Sequence, residues 1–426
     1  MGYELPEEEQ LKSTKRFLER VQENDSGGIR EYNERLMLHA IRQHGEIASA
    51  ELVKETGLSV QSVSRITKRL ISLDLIEKRD RLRIKGKVGQ PSVPLALKPD
   101  GAYSIGVKIG RKSMDIVVMD FSGTIQNSKL FMYEFPEPSQ VIAASNDGIS
   151  EVLAKLTPSQ RERVVGLGVV APYGLPDWHA ELKNPASLAE EWAATDLLEA
   201  VAVTHDLPIW EDHDAKAACL ADLLLHGVGE RPKNYLFMFL GTIMSGGAVL
   251  DGTIMHGPHG YAGAIGPLRI PGTLAPLEPD GCNLTIPLLK VASRYVLNEM
   301  LHSAGLDPGK VLAGEKCCEC ATVRDWANHA GKALAIGILS AISTFDFEAV
   351  VIDGDLPSGV RKYLVERLIE SLDEQDFTGL VRPEIMAGDL GNRARALGGA
   401  LLPLYSNFVP ERHLLVKSQA NGLAAQ

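Results

Sequence analysis

Between Ile47 and Leu73, IASAELVKETGLSVQSVSRITKRLISL, apolar residues recur every three or four positions, and Gly57-Leu58-Ser59 interrupts the pattern once. That period predicts two short amphipathic helices around a tight turn, the layout of a helix-turn-helix. On the second helix Val60, Val63, Ile66, Leu70 and Leu73 form the stripe expected to be buried, while Gln61, Ser62, Arg65, Lys68 and Arg69 fall on the other faces. Gly57 suits the left-handed residue at a helix end, and Ser59 suits the cap of the next helix. Upstream, Leu36, Leu38, Ile41 and Met37 predict a first helix over about Asn33 to Gln43, ended by Gly45. Downstream, Leu75-Ile76-Glu77-Lys78 and Leu82-Arg83-Ile84-Lys85 alternate apolar and charged residues around Asp80-Arg81, which predicts a small β-hairpin. Three helices and a basic hairpin make a winged helix; a helical hairpin inside another domain, with a solvated charged turn, is the plainer alternative.

The pattern changes after Gly86. Tyr103 to Gly110 and Met114 to Phe121 are β-rich, with Ser122-Gly123 as the turn before a third strand. Strands at Val164–Val170, Tyr235–Leu240 and Ala349–Asp353 then alternate with helical stretches at Ile142–Leu156, Ala215–Leu225 and Ala333–Phe345. Such alternation predicts an α/β body. A polar, helical leader precedes all of this and ends at the flexible break Asp25-Ser26-Gly27-Gly28.

A length of 426 residues suggests two or three domains. With 45% hydrophobic and 23% charged residues the chain falls in the globular class. No apolar run is long enough to span a bilayer and MGYELPEEEQ lacks the regions of a signal peptide, so a cytoplasmic protein with no membrane partner is expected. Five cysteines fit reduced thiols better than a disulfide framework. The net charge of −11, taken alone, argues against a nucleic-acid partner. Its distribution reverses that conclusion, because Ser59 to Lys98 holds ten basic residues against three acidic ones.

The GLSVQSVSR turn, Gly89-Gln90-Pro91, Leu97-Lys98-Pro99-Asp100-Gly101 and the downstream motifs below resemble the ROK family, named for repressors, open reading frames and kinases. The resemblance covers Asn33 to about Tyr405. It implies a winged helix fused to a two-lobed, actin-like ATPase body of the sugar-kinase type. The expected divisions are a leader at 1–28, a winged helix-turn-helix at 29–98, the body at 99–405 and a tail at 406–426. The family wing often has Arg before its Pro, where this chain has Gln90.

Several positions depart from the kinase pattern. The first phosphate loop of the family has Asp, Gly and a small hydroxyl residue where this chain has Lys108, Gly110 and Arg111-Lys112. A lysine repels a magnesium ion and has no lone pair for it. Gly241-Thr242-Ile243-Met244-Ser245-Gly246-Gly247 replaces two glycines of the second loop and is expected to be an ordinary strand-to-strand turn. Pro208 to Lys216 ends a strand and opens a helix, and resembles the family's base motif with Asp214 at the base position and His213 in place of Asn. Asp214 is expected to contact a ligand or cap the helix sooner than to abstract a proton.

In the stretch from His256 to Pro267, Ala264 and Pro267 stand where the family has a sugar-binding Glu and a His shared by sugar and zinc. Of the zinc cysteines only Cys282 remains. Cys317-Cys318-Glu319-Cys320 has spacing unlike known zinc sites, and neither His256 nor His259 completes a ligand set. Val350–Asp355 and Ala396-Leu397-Gly398-Gly399-Ala400 fit the family outline as architecture, Gly398-Gly399 as close helix packing.

The expected function is a DNA-binding transcriptional regulator, a repressor, that binds a double-stranded operator as a homodimer or homotetramer. Its degenerate body would sense a small-molecule effector, a sugar or derivative. Gln61 and Arg65 are the expected base contacts, Lys68, Arg69, Arg81 and Arg83 the phosphate contacts, and Ser59, Ser62, Lys85 and Gln90 complete the DNA set. Asn184, His213 and Asp214 are the expected effector residues. No catalytic residue, cofactor or metal is expected. Two alternatives stay open: an active sugar kinase that carries a DNA-binding domain, and a body that binds a protein.

Overall fold

A computed structural model of the chain describes Phe17 and residues 28–79, 93–172, 185–205, 207–277 and 284–410. Helix α1, Gly28–His44, begins earlier than its apolar residues indicate. Arg30–Glu34 at 3.1 Å and Glu31–Arg35 at 2.5 Å are pairs one turn apart that support the added turn without apolar burial. Gly45, at φ 68°, turns the chain into β1, Glu46–Ala48. Helix α2, Ser49–Thr56, ends on Gly57 at φ 69°, and α3, Val60–Ser72, begins on Ser59, whose Oγ accepts from the Ser62 amide at 3.1 Å. Both helix ends thus have the causes read from the sequence.

One member of the expected stripe is misplaced. Val63, Ile66 and Leu70 are buried, but Val60 is 69% exposed and Thr67 takes an inner position instead. Val60 lies on the first turn, before the helix reaches the core.

The first strand of the expected wing is present. Strand β2, Ile76–Lys78, pairs antiparallel with β3, Pro94–Leu97, which pairs with β1 on its other side. Leu95 and Leu97 enter the core and anchor that register. The expected partner, Leu82–Lys85, lies outside the described residues.

Strand β3 passes through a single turn at Pro99–Gly101 into the body. There β4 Tyr103–Ile109, β5 Ser113–Asp120 and β6 Ile125–Met132 form an antiparallel meander. Strands β7 Val164–Ala171 and β8 Ile209–His213 add in parallel, giving the order β6-β5-β4-β7-β8. The second half repeats this order. Strands β9 Tyr235–Leu240, β10 Ser245–Leu250 and β11 Thr253–Ile254 are antiparallel, and two further parallel strands, Ala349–Gly354 and Glu384–Ala387, extend the sheet beside β9. The body is therefore two lobes of one topology, each α/β.

Helix α4, Pro138–Ala154, starts before the expected Ile142, with Pro138 in the first turn, where a missing N–H costs nothing. Helix α5, Asp214–Leu225, follows β8 directly, and α6, Arg294–Ser303, lies beyond β11. Helix α7, Ala321–Phe345, begins well before the expected Ala333, because Val323, Trp326, Ala327 and Ala330 continue its buried face upstream. Helix α8, Ala394–Phe408, the last among the described residues, returns to the first lobe and packs on β4, β7 and α5.

That packing depends on glycine. A Cβ at Gly398 would lie 1.8 Å from Ala217 O, one at Gly168 1.9 Å from Gly399 O, and one at Gly106 2.4 Å from Ala400 N. Gly398-Gly399 is close helix packing, as its sequence indicates.

The winged helix is seated firmly on the body. Arg35 donates to Ser406 O at 2.7 Å and Val409 O at 3.3 Å, Arg42 to Phe121 O at 2.9 Å, and the Val228 amide to Gln43 O at 3.1 Å. Arg42 also lies over the Phe121 ring, which meets Phe408 edge-on at 4.7 Å. At the far end Asp74 pairs with Lys98 at 2.8 Å and Arg163 at 3.2 Å. Met37, Ile41, Leu52, Val63 and Leu70 share one apolar core with Phe121, Leu404 and Phe408.

His39 makes this region pH-sensitive. Burial, and then the charge of Arg42, lower its pKa to about 4, and its Nδ1 has no partner among the described residues. The unfolded chain takes up that proton near pH 6.5, whereas the folded chain refuses it until about pH 4. Stability at this group therefore falls as the pH drops through that window. Urea midpoints measured at about pH 7.5 and about pH 5 are expected to fall less for His39→Gln than for the unchanged chain.

Candidate functional site

The outer face of α3 is the first candidate. Val60, Gln61, Ser64, Arg65 and Lys68 are exposed on it, next to the half-buried Ser62. Ser59 and Ser62 are bonded to each other at 3.0 Å, so both serve the helix start. Arg69 turns inward and pairs with Glu34 at 2.9 Å, which leaves it less suited to phosphate than its position in sequence suggests. Arg79, at the end of β2, is tied to Glu77 at 3.0 Å. Arg81, Arg83, Lys85 and Gln90 lie outside the described residues. Val60 and Ser64 were absent from the expected DNA set. The exposed Val60 is the apolar group on this face that suits a thymine methyl.

The second candidate is the cleft between the lobes. A cavity of about 470 Å³, in the range of small-molecule sites, is lined by Asp214, Phe239, Thr242, Met244, Tyr261 and Ala264, among others. Asp214 opens α5 but does not cap it; its Oδ2 accepts from Arg395 Nη1 at 3.2 Å. Arg395 also donates to both oxygens of Asp355 at 2.9 and 2.7 Å and lies over the Phe239 ring at 4.8 Å. Burial works against the Arg395 charge, but Asp355 and Asp214 outweigh it and raise its pKa. One arginine thus clamps a carboxylate from each lobe.

A larger cavity of about 860 Å³ adjoins the first, and Arg111, Pro172, Thr242 and Arg395 line both. Lys108 points into it, 4% exposed, and donates to Asp115 at 3.1 Å and Ser113 at 3.2 Å. Burial and then Arg395 lower the pKa of Lys108. Arg111 is lowered to about 10, again by burial first, with Arg395 adding and Asp214 opposing. The 241–244 segment is a turn between β9 and β10; Met244 is buried and its amide donates to Ser293.

His213 does not join Asp214. It faces a separate cavity of about 340 Å³ with Trp210, Lys216, His256 and Gly260, stacked on Tyr261 with 5.5 Å between ring centroids. A strand and the helix it feeds send adjacent side chains in different directions, which proximity in sequence conceals. Burial lowers the His213 pKa to about 4. Asn184 lies outside the described residues. The sequence does not single out Arg395 and Asp355 for the cleft; the available signal is a carboxylate ending the Val350–Asp355 motif and an arginine just before Ala396-Leu397-Gly398-Gly399-Ala400.

Cys317 is buried, Cys318 and Cys320 are half-buried, and all three are free thiols. Cys282 lies outside the described residues. Among the described residues no group of three His, Cys, Asp or Glu side chains is placed to hold a metal ion. No described helix is long and apolar enough to cross a membrane.

Comparison with known proteins settles the family. The ROK family model matches residues 104–405, most of the chain. The chain belongs to the ROK family. A MarR family model matches residues 31–82, so this ROK chain joins the family body to a winged helix. It is 28% identical to protein y4fQ of Sinorhizobium fredii over 88% of this chain and 91% of the relative. It is 21% identical to the xylose repressor of Caldicellulosiruptor bescii over 87% of this chain and 94% of the repressor. Among solved structures, a ROK family transcriptional regulator, homologous to the Escherichia coli MLC protein, superposes with a TM-score of 0.63 at 21% identity. That match covers 92% of this chain and 99% of the regulator, so one fold spans winged helix and body together.

Proposed function

We propose that the protein is a DNA-binding transcriptional repressor whose sugar-kinase-like body senses a small-molecule effector. The observation that carries this reading is the route from cleft to winged helix. Helices α5 and α8 begin at the Asp214–Arg395 pair and run side by side, Gly398 against Ala217. Their far ends reach α1: Val228, just past α5, donates to Gln43, and Ser406 and Val409, at the end of α8, accept from Arg35. A ligand that separates Arg395 from Asp214 or Asp355 acts on both helices at once, and both support the DNA-binding domain. In a homodimer or homotetramer this shifts the spacing of paired α3 helices between arrangements that do and do not match half-sites one DNA turn apart.

Phosphoryl transfer fits the site poorly. Lys108 brings a buried cation to the position of a magnesium-directing carboxylate, and the base candidate Asp214 is held by an arginine. Coupled turnover of ATP over a panel of sugars is expected to stay at background; turnover abolished by Asp214→Asn would restore the kinase reading.

Arg65 tests the DNA end. It is exposed, and its pairing with guanine would contribute about 1–3 kcal/mol of discrimination. Arg65→Ala is expected to weaken binding to DNA fragments recovered by the unchanged protein by roughly 10–100-fold and to relax sequence preference, with folding intact. Unchanged affinity and preference in a gel shift would remove Arg65 from the interface.

A further inference from the structure

Three free thiols stand together in the second lobe, just ahead of α7 and away from the cleft cavities. Cys317-Cys318-Glu319-Cys320 contains a C-x-x-C pair, the spacing of dithiol redox sites. Cys317–Glu319 is a single 3-10 turn, and the Cys320 amide closes it on Cys317 O at 3.3 Å. With three residues per turn, side chains three apart lie above one another, and three steps of about 2 Å put their Cα atoms about 6 Å apart. That separation falls within the roughly 4.4–6.8 Å that a disulfide spans.

The surroundings agree with the spacing. Cys317 is buried in the apolar core of the second lobe, with Val323, Trp326 and Leu364, and Cys320 packs against that same core. Both side chains therefore face one way. Cys318, a third of a turn on, lies instead toward Gly359, where an added Cβ would come within 3.7 Å of its Sγ. Arg324 holds the turn: its Nε donates to Cys318 O at 3.0 Å, and its guanidinium lies over the Tyr363 ring at 5.7 Å. Access is one-sided. Cys317 is 6% exposed, whereas Cys320 is half-buried between the exposed Glu319 and Ala321, at the N-cap of α7, which its side chain does not cap.

We propose that Cys317 and Cys320 form a reversible dithiol–disulfide site that hydrogen peroxide closes and a dithiol reductant opens. Cys320, the more accessible sulfur, attacks the peroxide as its thiolate and becomes a sulfenic acid, while the released hydroxide takes up a proton to leave as water. The Cys317 sulfur then attacks the Cys320 sulfur, closes the bond and expels a second water. Two thiols lose two electrons and two protons, and one peroxide is reduced to two waters. The bond ties the turn to the start of α7, whose Trp326 donates to Val291 O at 3.0 Å, two residues from Leu289 of the cleft lining.

Peptide mapping of the full chain tests the site. Trypsin cuts after Lys316 and Arg324, so one peptide, Cys317–Arg324, holds all three cysteines and no other. The protein in EDTA is treated with hydrogen peroxide, its remaining thiols are blocked with N-ethylmaleimide in urea, and the digest is read by mass spectrometry. The peptide is expected to lose two hydrogens and to carry one blocking group, on Cys318. Dithiothreitol before blocking is expected to restore three. Cys318→Ser is expected to keep the closure and Cys320→Ser to abolish it, with circular dichroism before oxidation showing each variant folded. The proposal is wrong if peroxide leaves all three thiols free, if the bond joins Cys318, Cys282 or a second chain, or if Cys320→Ser still loses two hydrogens. A sulfinic acid that dithiothreitol does not reverse would also overturn it.

Discussion

Arg395→Met is expected to destabilise the protein by about 3–5 kcal/mol, the cost of breaking a buried ion pair from one side. The substitution leaves Asp214 and Asp355, whose side chains are 9% and 10% exposed, without their shared cation, and removes the contact with Phe239. Urea unfolding measures the loss. Adding Asp355→Asn is expected to recover part of it, because one unpaired charge is then gone. If Arg395→Met unfolds like the unchanged chain, the clamp carries no stability and the route from cleft to winged helix loses its starting point.

Gly398→Ala is expected to be as damaging for a different reason. The new methyl would sit 1.8 Å from Ala217 O and 2.2 Å from Ala217 C, and backbone cannot rotate away as a side chain does. Helices α5 and α8 must move apart, and α8 is also pressed against β7 through Gly168. The expected loss is about 3 kcal/mol or more, with weakened seating of α1. Gly379→Ala is the informative comparison. Gly379 has φ 80° and open space around it, so only left-handed strain applies, about 1–2 kcal/mol. If the two variants unfold alike, the packing argument is wrong.

The parts of the molecule legible in the sequence were those with local causes. Gly57 and Ser59 announced both helix ends because the turn and the cap act within a few residues. The central strands of both lobes showed as apolar runs because strands covered on both faces bury almost every side chain. What stayed hidden was long-range. Nothing near Ile76–Lys78 tells it to pair with Pro94–Leu97, since the tighter turn at Asp80-Arg81 offers an equally good local pattern. Nothing near Arg395 tells that it joins Asp214, 181 residues earlier in the chain. His213 and Asp214 are neighbours in sequence and read there as one site, yet they open onto different cavities. The exposed Val60 followed the helical period and still left the core, because a period gives direction around the axis and says nothing about where the partner surface ends.

Sequencing the DNA that the purified full chain selects from a randomised duplex pool tests the central claim most directly. The account predicts a paired half-site with centres about one helical turn, roughly 10 base pairs, apart, and loss of preference at individual positions when Arg65→Ala or Gln61→Ala replaces the unchanged chain. A pool that emerges without an enriched sequence, or one whose preference survives both substitutions, would contradict it.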